Sequence, residues 1–89
     1  MKKINVILCR SKIHKTYYYD IVVLAMEKEE EAKELICVLN DILDKKDINE
    51  LRTMMVKNTM LIPSFLQGEI YDPDIIDTLS FYIRQCILK

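Results

Sequence analysis

The sequence is poor in the residues that mark several structural classes. It has one glycine, two prolines and no tryptophan among 89 residues. This composition excludes collagen-like chains, flexible linkers and glycine-rich phosphate-binding loops. The longest uninterrupted apolar run, from Ile21 to Met26, is far shorter than the roughly 20 residues of a membrane-spanning helix. We therefore expect no membrane association.

The rest of the composition is typical of one small globular domain spanning residues 1–89. Hydrophobic residues make up 51% and charged residues 30% of the chain, unlike the apolar-poor composition of disordered proteins. No small-residue cleavage site follows the first apolar stretch, so we expect no secretory signal. Cys9, Cys37 and Cys86 are odd in number and widely spaced, which favours reduced thiols and a cytoplasmic location.

The formal net charge of −1 hides an uneven distribution of charge along the chain. Residues 20–89 hold eight of the 13 basic residues and all 14 acidic residues, a net charge of −6. Residues 1–19 hold no acidic residue and five basic residues, which are Lys2, Lys3, Arg10, Lys12 and Lys15. The sequence thus joins a basic N-terminal segment to an acidic remainder.

The N-terminal third of the chain predicts a β-hairpin. Ile4 to Arg10 alternates between two faces, as a strand does. A polar connector, Ser11 to Lys15, follows, and Thr16 to Met26 is rich in aromatic and β-branched residues, which favour a second strand. Because the two segments are close in sequence, antiparallel pairing is the simplest arrangement.

The central third predicts two helices. The first begins after Glu27 and ends near Lys46, with its acidic residues at the start, where they complement the helix dipole. Its apolar stripe consists of Ala32, Leu35, Ile36, Leu39, Ile42 and Leu43. Asp47 and Glu50 have the spacing of a capping box that opens a second helix, which runs to about Lys57. The second helix is expected to bury Ile48, Leu51 and Met55.

The C-terminal third contains one ambiguous segment and one predicted helix. Residues 59–71 form either an edge strand at Met60 to Ile62 or a short helix from Pro63 to Gly68. A third helix is predicted after Asp72, with Pro73 at its first position. Its stripe consists of Ile75, Ile76, Leu79, Tyr82, Ile83, Cys86 and Ile87. The predicted fold is therefore α+β: an N-terminal two-stranded β-hairpin packed on three α-helices.

One family resemblance suggests an alternative fold. Ser11 to Tyr18 resembles the glutaredoxin stretch Ser-Lys-Pro-Gly-Cys-Pro-Tyr-Cys, and Leu61 to Phe65, followed by Gly68 and Glu69, is similar to the glutaredoxin segment that carries the cis-proline. The resemblance implies a thioredoxin/glutaredoxin-like α/β fold without the CxxC motif. Lys15 and Tyr18 would replace the two redox cysteines, so thiol–disulfide exchange would be lost.

Catalytic and metal-binding chemistry finds little support in the sequence. Structural zinc sites favour ligand pairs two to four residues apart, whereas Cys9 and His14 are five residues apart and the other cysteines are distant. The same pair is the only candidate nucleophile–base couple, and a core cysteine beside an exposed histidine is the preferred interpretation. We expect no enzymatic activity, no cofactor and no metal.

Two charged surfaces are candidates for binding a partner. The first combines the basic connector with tyrosines of the second strand, and the second is the acidic start of the first helix. The predicted partner-binding residues are Arg10, Lys12, His14, Lys15, Tyr17, Tyr19, Glu27, Glu30 and Glu31. Basic and aromatic residues together are also typical of single-strand nucleic-acid binding, although the acidic remainder of the chain argues against it.

The sequence as a whole favours a non-enzymatic protein-interaction module. We expect a small accessory, inhibitor or immunity-type protein that binds and masks an unidentified protein partner. The alternative is a nucleic-acid-binding regulator that uses Arg10 to Lys15 with Tyr17 and Tyr19. The high apolar fraction also fits a homodimer. The abundance of Ile, Lys, Asp and Asn is typical of an AT-rich genome, such as that of a phage, a virus or a low-GC bacterium.

Overall fold

The computed structural model describes residues 2–14, 17–67 and 77–88. In chain order, its elements are the strands β1 (Lys2–His14) and β2 (Tyr17–Met26), the helices α1 (Glu29–Asp44) and α2 (Ile48–Lys57), a 3-10 turn (Ser64–Leu66) and the strand β3 (Ser80–Leu88). The strands form an antiparallel sheet in the order β2-β1-β3, with β1 in the centre.

This arrangement corrects both predicted architectures. The two-stranded hairpin on three α-helices is wrong, because a third strand joins the sheet and the described part of the chain has two α-helices. The thioredoxin/glutaredoxin-like alternative is also wrong. Only residues 15 and 16 separate β1 from β2, which is too few for the helical crossover that joins parallel strands.

From Ser80 onward, the predicted C-terminal helix is replaced by β3, whereas Asp77 is helical. Its predicted start at Asp72 and Pro73 lies outside the described residues, but Ser80–Leu88 pairs with β1 along nine positions, from Arg10↔Ser80 to Lys2↔Leu88. The segment is rich in β-branched and aromatic residues, which pack well on a sheet. Pairing with β1 satisfies backbone groups that would otherwise form an open edge of the central strand.

The hairpin is longer than predicted, and its second strand contains a bulge. The expected connector from Ser11 to Lys15 is wrong for residues 11–14, because β1 continues to His14. Ile7 is paired with Leu24 and Leu8 with Val22, so Val23 is the extra residue of a β-bulge. The Val23 carbonyl oxygen accepts a hydrogen bond from the Leu61 N–H at 2.8 Å.

The helices pack on one face of the sheet and form the core with it. Ile7 and Cys9 of β1 and Phe81 of β3 are buried against the helices. Asn5, also buried on this face, donates to the carbonyl oxygens of Met26 at 3.2 Å and Glu27 at 3.1 Å and accepts from the Gln85 side chain at 3.1 Å. The helical core residues are Ala32, Leu35, Leu39 and Ile42 of α1 and Ile48, Leu51 and Met55 of α2.

The two central helices confirm the local sequence signals. The Asp47 side chain accepts a hydrogen bond from the Glu50 N–H at 3.1 Å, which is one of the two bonds of the predicted capping box. The Asp47 N–H donates instead to the Ile42 carbonyl oxygen at 3.4 Å. Both helices end in a Schellman motif, in which the residue after the C-cap is left-handed. These residues are Lys46, with φ of 57°, and Thr59, with φ of 55°.

Residues 59–67, the described part of the ambiguous segment, form neither the predicted edge strand nor the full predicted short helix. A 3-10 turn begins at Ser64, with Pro63 as its N-cap, and Arg52 of α2 donates to the Leu66 carbonyl oxygen. Leu61 contacts β2 through one backbone hydrogen bond, without forming a strand. The predicted stop at Gly68 lies outside the described residues. Within the described ranges, no helix is long and apolar enough to cross a membrane.

Candidate interaction surface

The face of the sheet opposite the helices is lined by alternate residues of all three strands. Cross-strand partners share a face of the sheet, so the register places Val6, Leu8 and Arg10 of β1 on the side away from the helical core. We define the open face by the residues Ile4, Val6, Leu8, Arg10, Tyr18, Asp20, Val22, Tyr82, Arg84 and Cys86.

Three polar side chains form a connected cluster at one end of the open face. Arg10 lies on β1 directly between Asp20 of β2 and Ser80 of β3. Its guanidinium donates to both Asp20 carboxylate oxygens, from Nε at 2.9 Å and from Nη2 at 3.2 Å. The same Nη2 lies 3.4 Å from the Tyr82 hydroxyl oxygen. One arginine of the central strand thereby connects both outer strands.

Aromatic rings hold the same guanidinium from both sides of β1. The Arg10 Cζ atom lies 4.8 Å from the centroid of the Tyr82 ring and 5.6 Å from that of Tyr18. Both distances are within the range of cation–π attraction. Because Arg10 is fixed by hydrogen bonds and ring contacts together, it presents one conformation on the open face. We call Arg10, Tyr18, Asp20 and Tyr82 the arginine cluster.

The cluster keeps its charges fixed near neutral pH. The Arg10 guanidinium, followed by the Tyr82 hydroxyl, lowers the pKa of the Asp20 carboxyl. The hydrogen bond with Asp20, followed by desolvation, raises the pKa of Tyr82. The pKa of Arg10 is raised, chiefly by its hydrogen bond to Asp20. The cluster therefore contains an ionised pair and a neutral phenol over the physiological range.

The basic half of the predicted site is divided between the two faces of the sheet. Arg10 lies on the open face, whereas Tyr19 is paired with Ser11 and lies on the helix side. The backbones of Lys12, His14 and Tyr17 belong to β1 and β2, but their side chains lie outside the described part of the structure. Lys15 lies outside it altogether.

The acidic half of the predicted site lies at the opposite end of the sheet. Glu27 follows β2 and forms an ion pair with Lys2 at 2.5 Å. Glu30 and Glu31 are exposed in the first turn of α1. Asn5, which is paired with Met26 next to Glu27, is five residues from Arg10 along β1, roughly 17 Å in a strand. The basic and acidic candidate surfaces are therefore separate, at opposite ends of the sheet.

The environment of Cys9 is unsuited to nucleophilic catalysis. The thiol is fully buried on the helix side of β1. Burial, with a smaller contribution from the Asp20 charge, raises the pKa of Cys9 from 9.0 to about 12. A nucleophilic cysteine needs the thiolate form near neutral pH, so this thiol behaves as a small core side chain.

Sequence reasoning missed three members of the arginine cluster. Asp20 and Tyr18 were visible in the second predicted strand, but a register irregularity between Ser11 and His14 is what sets Asp20, rather than Ile21, opposite Arg10. No local signal brings Tyr82 to this site, because it comes from a strand 72 residues further along the chain. Its position depends on the pairing of β3 with β1.

Neither metal-binding residues nor similar proteins assign a function to the open face. Among the described residues, no group of three or more His, Cys, Asp or Glu side chains is arranged to hold a metal ion. Comparisons of the chain with protein-family models, with curated proteins and with solved structures find no match.

Proposed function

We propose that this chain is a non-enzymatic protein-interaction module of the accessory, inhibitor or immunity type, which binds a partner protein and masks its surface. The open face is the contact surface, and the arginine cluster is its polar centre. The observation that carries the proposal is the arrangement of Arg10 between two tyrosine rings on a sheet face that also carries apolar residues and the exposed Arg84.

The residue types of the cluster support this function. Tyrosine and arginine are enriched among the residues that contribute most to binding energy at protein interfaces. A side chain that is already ordered loses less conformational entropy on binding than a mobile one. Arg10 is held by Asp20 and Tyr82 before any partner arrives. The cluster therefore has the features of a preorganised anchor.

The surroundings of the cluster supply apolar contact area. Val22 is 53% exposed on the open face, and Val6 and Ile4 are partly exposed along β1. Cys86 is exposed next to Ile4. Apolar area with a few fixed polar groups is typical of the centre of a protein interface. Leu8, between Arg10 and Val6, is itself buried, so the proposed apolar contact area comes from Val22 beside the arginine cluster and from Val6 and Ile4 further along β1.

The nucleic-acid alternative has weaker support on this face. Tyr18 and Tyr82 offer rings for base stacking beside Arg10, a combination that single-strand binders use. However, Asp20 already accepts two hydrogen bonds from the Arg10 guanidinium. Its carboxylate would repel a phosphate group at the same place. Protein binding is the function that accommodates this charge.

The test compares two exposed valines that lie on different sides of the molecule. Val22→Glu places a carboxylate on the open face, whereas Val56→Glu places one on α2, where Val56 is 62% exposed. Tagged wild type and both variants are incubated with lysate of the native host, and bound proteins are identified by mass spectrometry. Far-UV circular dichroism checks that all three chains are folded.

The proposal predicts a partner that wild type and Val56→Glu retain and that Val22→Glu loses. Equal retention by all three proteins, or retention of nothing by wild type, contradicts it. In the second part of the experiment, a labelled single-stranded oligonucleotide is titrated with each protein at low salt. Tight binding that weakens steeply with salt and is lost in Val22→Glu would favour the nucleic-acid alternative instead.

A further inference from the structure

At the outer edge of β3, the backbone of Phe81 is bonded by a side chain of α1, whereas the outward backbone groups of three further residues have no hydrogen-bond partner among the described residues. The Asn40 side chain of α1 donates to the Phe81 carbonyl oxygen at 3.1 Å and accepts from the Phe81 N–H at 3.0 Å. Phe81 therefore directs both backbone groups away from β1. In a strand, alternate residues direct these groups to the same side, so Ile83, Gln85 and Ile87 share this orientation.

Within the described ranges, these three residues present a short row of unpaired backbone groups. No described residue hydrogen-bonds to the outward N–H or carbonyl groups of Ile83, Gln85 or Ile87. The outer edge of β2 differs, because Leu61 donates to Val23 in its middle. An unpaired strand edge is a template for pairing with another chain. The exposed side of β3 is thus the better edge for strand addition.

We propose that two copies of this chain pair antiparallel through β3, with Gln85 opposite Gln85 of the second copy. In this register, Ile83 lies opposite Ile87 at both ends, and all three outward residues form hydrogen-bonded pairs. The 55% exposed Ile87 then gains an apolar neighbour. The product is a continuous six-stranded sheet with a two-fold axis at Gln85.

Charges and the Asn40 contact disfavour a shift of this register toward Phe81. A shift that places residue 84 on the axis would set Arg84 opposite Arg84, and like charges directly opposite one another are destabilising. It would also leave only Ile83 and Gln85 to pair, because Asn40 occupies the outward groups of Phe81. With Gln85 on the axis, Arg84 lies opposite Cys86.

The charged side chains beside Gln85 allow two copies of the chain to meet at β3. Glu29 of α1 lies next to Gln85, and its carboxylate pairs with Lys33 at 3.1 Å. Two copies that meet at Gln85 therefore bring together neutralised pairs rather than two free carboxylates. This inference does not depend on the proposed function: the β3 edge and the open face are different surfaces, and each has its own test.

The decisive comparison is Gln85→Pro against Gln85→Ala. Both variants lose the side-chain bond to Asn5, but only proline removes the outward N–H, and proline is tolerated in an edge strand when its missing N–H faces solvent. We expect sedimentation equilibrium to show dimers of wild type and Gln85→Ala at about 100 µM, since so short an interface predicts modest affinity. Gln85→Pro should dimerise roughly tenfold to a hundredfold more weakly.

A second measurement guards against misfolding of the proline variant. Hydrogen exchange of wild type should protect the Ile83, Gln85 and Ile87 amides increasingly as the protein concentration rises, because only the dimer bonds them. Amides that pair with β1, such as Arg84, should not change in this way. A monomeric wild type, a Gln85→Pro dimer of unchanged strength, or concentration-independent exchange at these three amides would overturn the proposal.

Discussion

The Asn40–Phe81 contact offers the sharpest test of how β3 is held. Asn40 lies inside α1, and its amide group makes two hydrogen bonds to the backbone of Phe81, at 3.0 and 3.1 Å. The side chain thus acts as a one-residue extension of the sheet. Asn40→Ala removes both bonds and leaves the Phe81 backbone to water.

The expected cost follows from the two bonds and the helix around them. Each hydrogen bond contributes about 1 kcal/mol to stability, and alanine is about 0.5 kcal/mol better than asparagine inside a helix. Asn40→Ala should therefore lower the free energy of unfolding by about 1–2 kcal/mol. A chain of this length has roughly 4–13 kcal/mol in total, so the loss is measurable.

Urea unfolding followed by circular dichroism measures this loss, provided that the unfolding free energy of the variant decreases with urea concentration at the same slope as that of wild type. Asp41→Ala is the matched control, because Asp41 is the exposed neighbour in the same helix. Its replacement improves the helix propensity and removes a carboxylate from the last turn, so it should not destabilise the protein. Asn40→Asp keeps the shape of the side chain but changes its hydrogen bonding. Its carboxylate can accept from the Phe81 N–H but faces the Phe81 carbonyl oxygen, so Asn40→Asp should be less stable than Asn40→Ala.

The reasoning is refuted if Asn40→Ala unfolds within about 0.5 kcal/mol of wild type, which is the size of the propensity change. It is refuted equally if Asn40→Asp is as stable as wild type. Either result would mean that β3 is positioned by its pairing with β1 and by the core alone.

Two further predictions concern a helix end and the buried thiol. Thr59→Gly should raise the free energy of unfolding by about 1 kcal/mol, because Thr59 is a β-branched residue at φ of 55° and glycine adopts this region without strain. Thr59→Ala, measured by the same urea unfolding, should raise the free energy of unfolding much less. Since burial raises the pKa of Cys9 from 9.0 to about 12, the unfolded chain loses this proton first as the pH rises. The free energy of unfolding should therefore fall above pH 9 by at most about 1.4 kcal/mol per pH unit. Denaturant titration at pH 8–10.5 measures this slope, and an equally steep decrease in Cys9→Ala would contradict the prediction.

Elements specified by neighbouring residues were predictable from the sequence. The apolar stripe of α1 and the capping box of α2 act within a few residues, and both helices lie where these signals place them. Their C-terminal ends were harder to locate. The usual marker is a glycine after the C-cap, and in this glycine-poor chain Lys46 and Thr59 occupy these positions instead.

The C-terminal element was mispredicted because its local pattern fits two structures. Tyr82, Ile83, Cys86 and Ile87 form a helical stripe, but in a strand the same residues divide between two faces, one toward the core and one toward the open face. The choice depends on whether β1 has a free edge to offer. That edge belongs to residues more than 70 positions away, so no local window contains the information.

The same long-range pairing decides how much of the candidate site a sequence can reveal. Arg10 and Asp20 are a cross-strand pair of one hairpin, so their pairing depends only on nearby residues and on the register irregularity between Ser11 and His14. Tyr82 joins them only because β3 adds to the other side of β1 in a register that sets Leu8 opposite Tyr82. A two-stranded hairpin would leave Arg10 with an acidic partner on one side and solvent on the other. The third strand supplies the second ring and a third hydrogen bond, and these hold the guanidinium from both sides of β1.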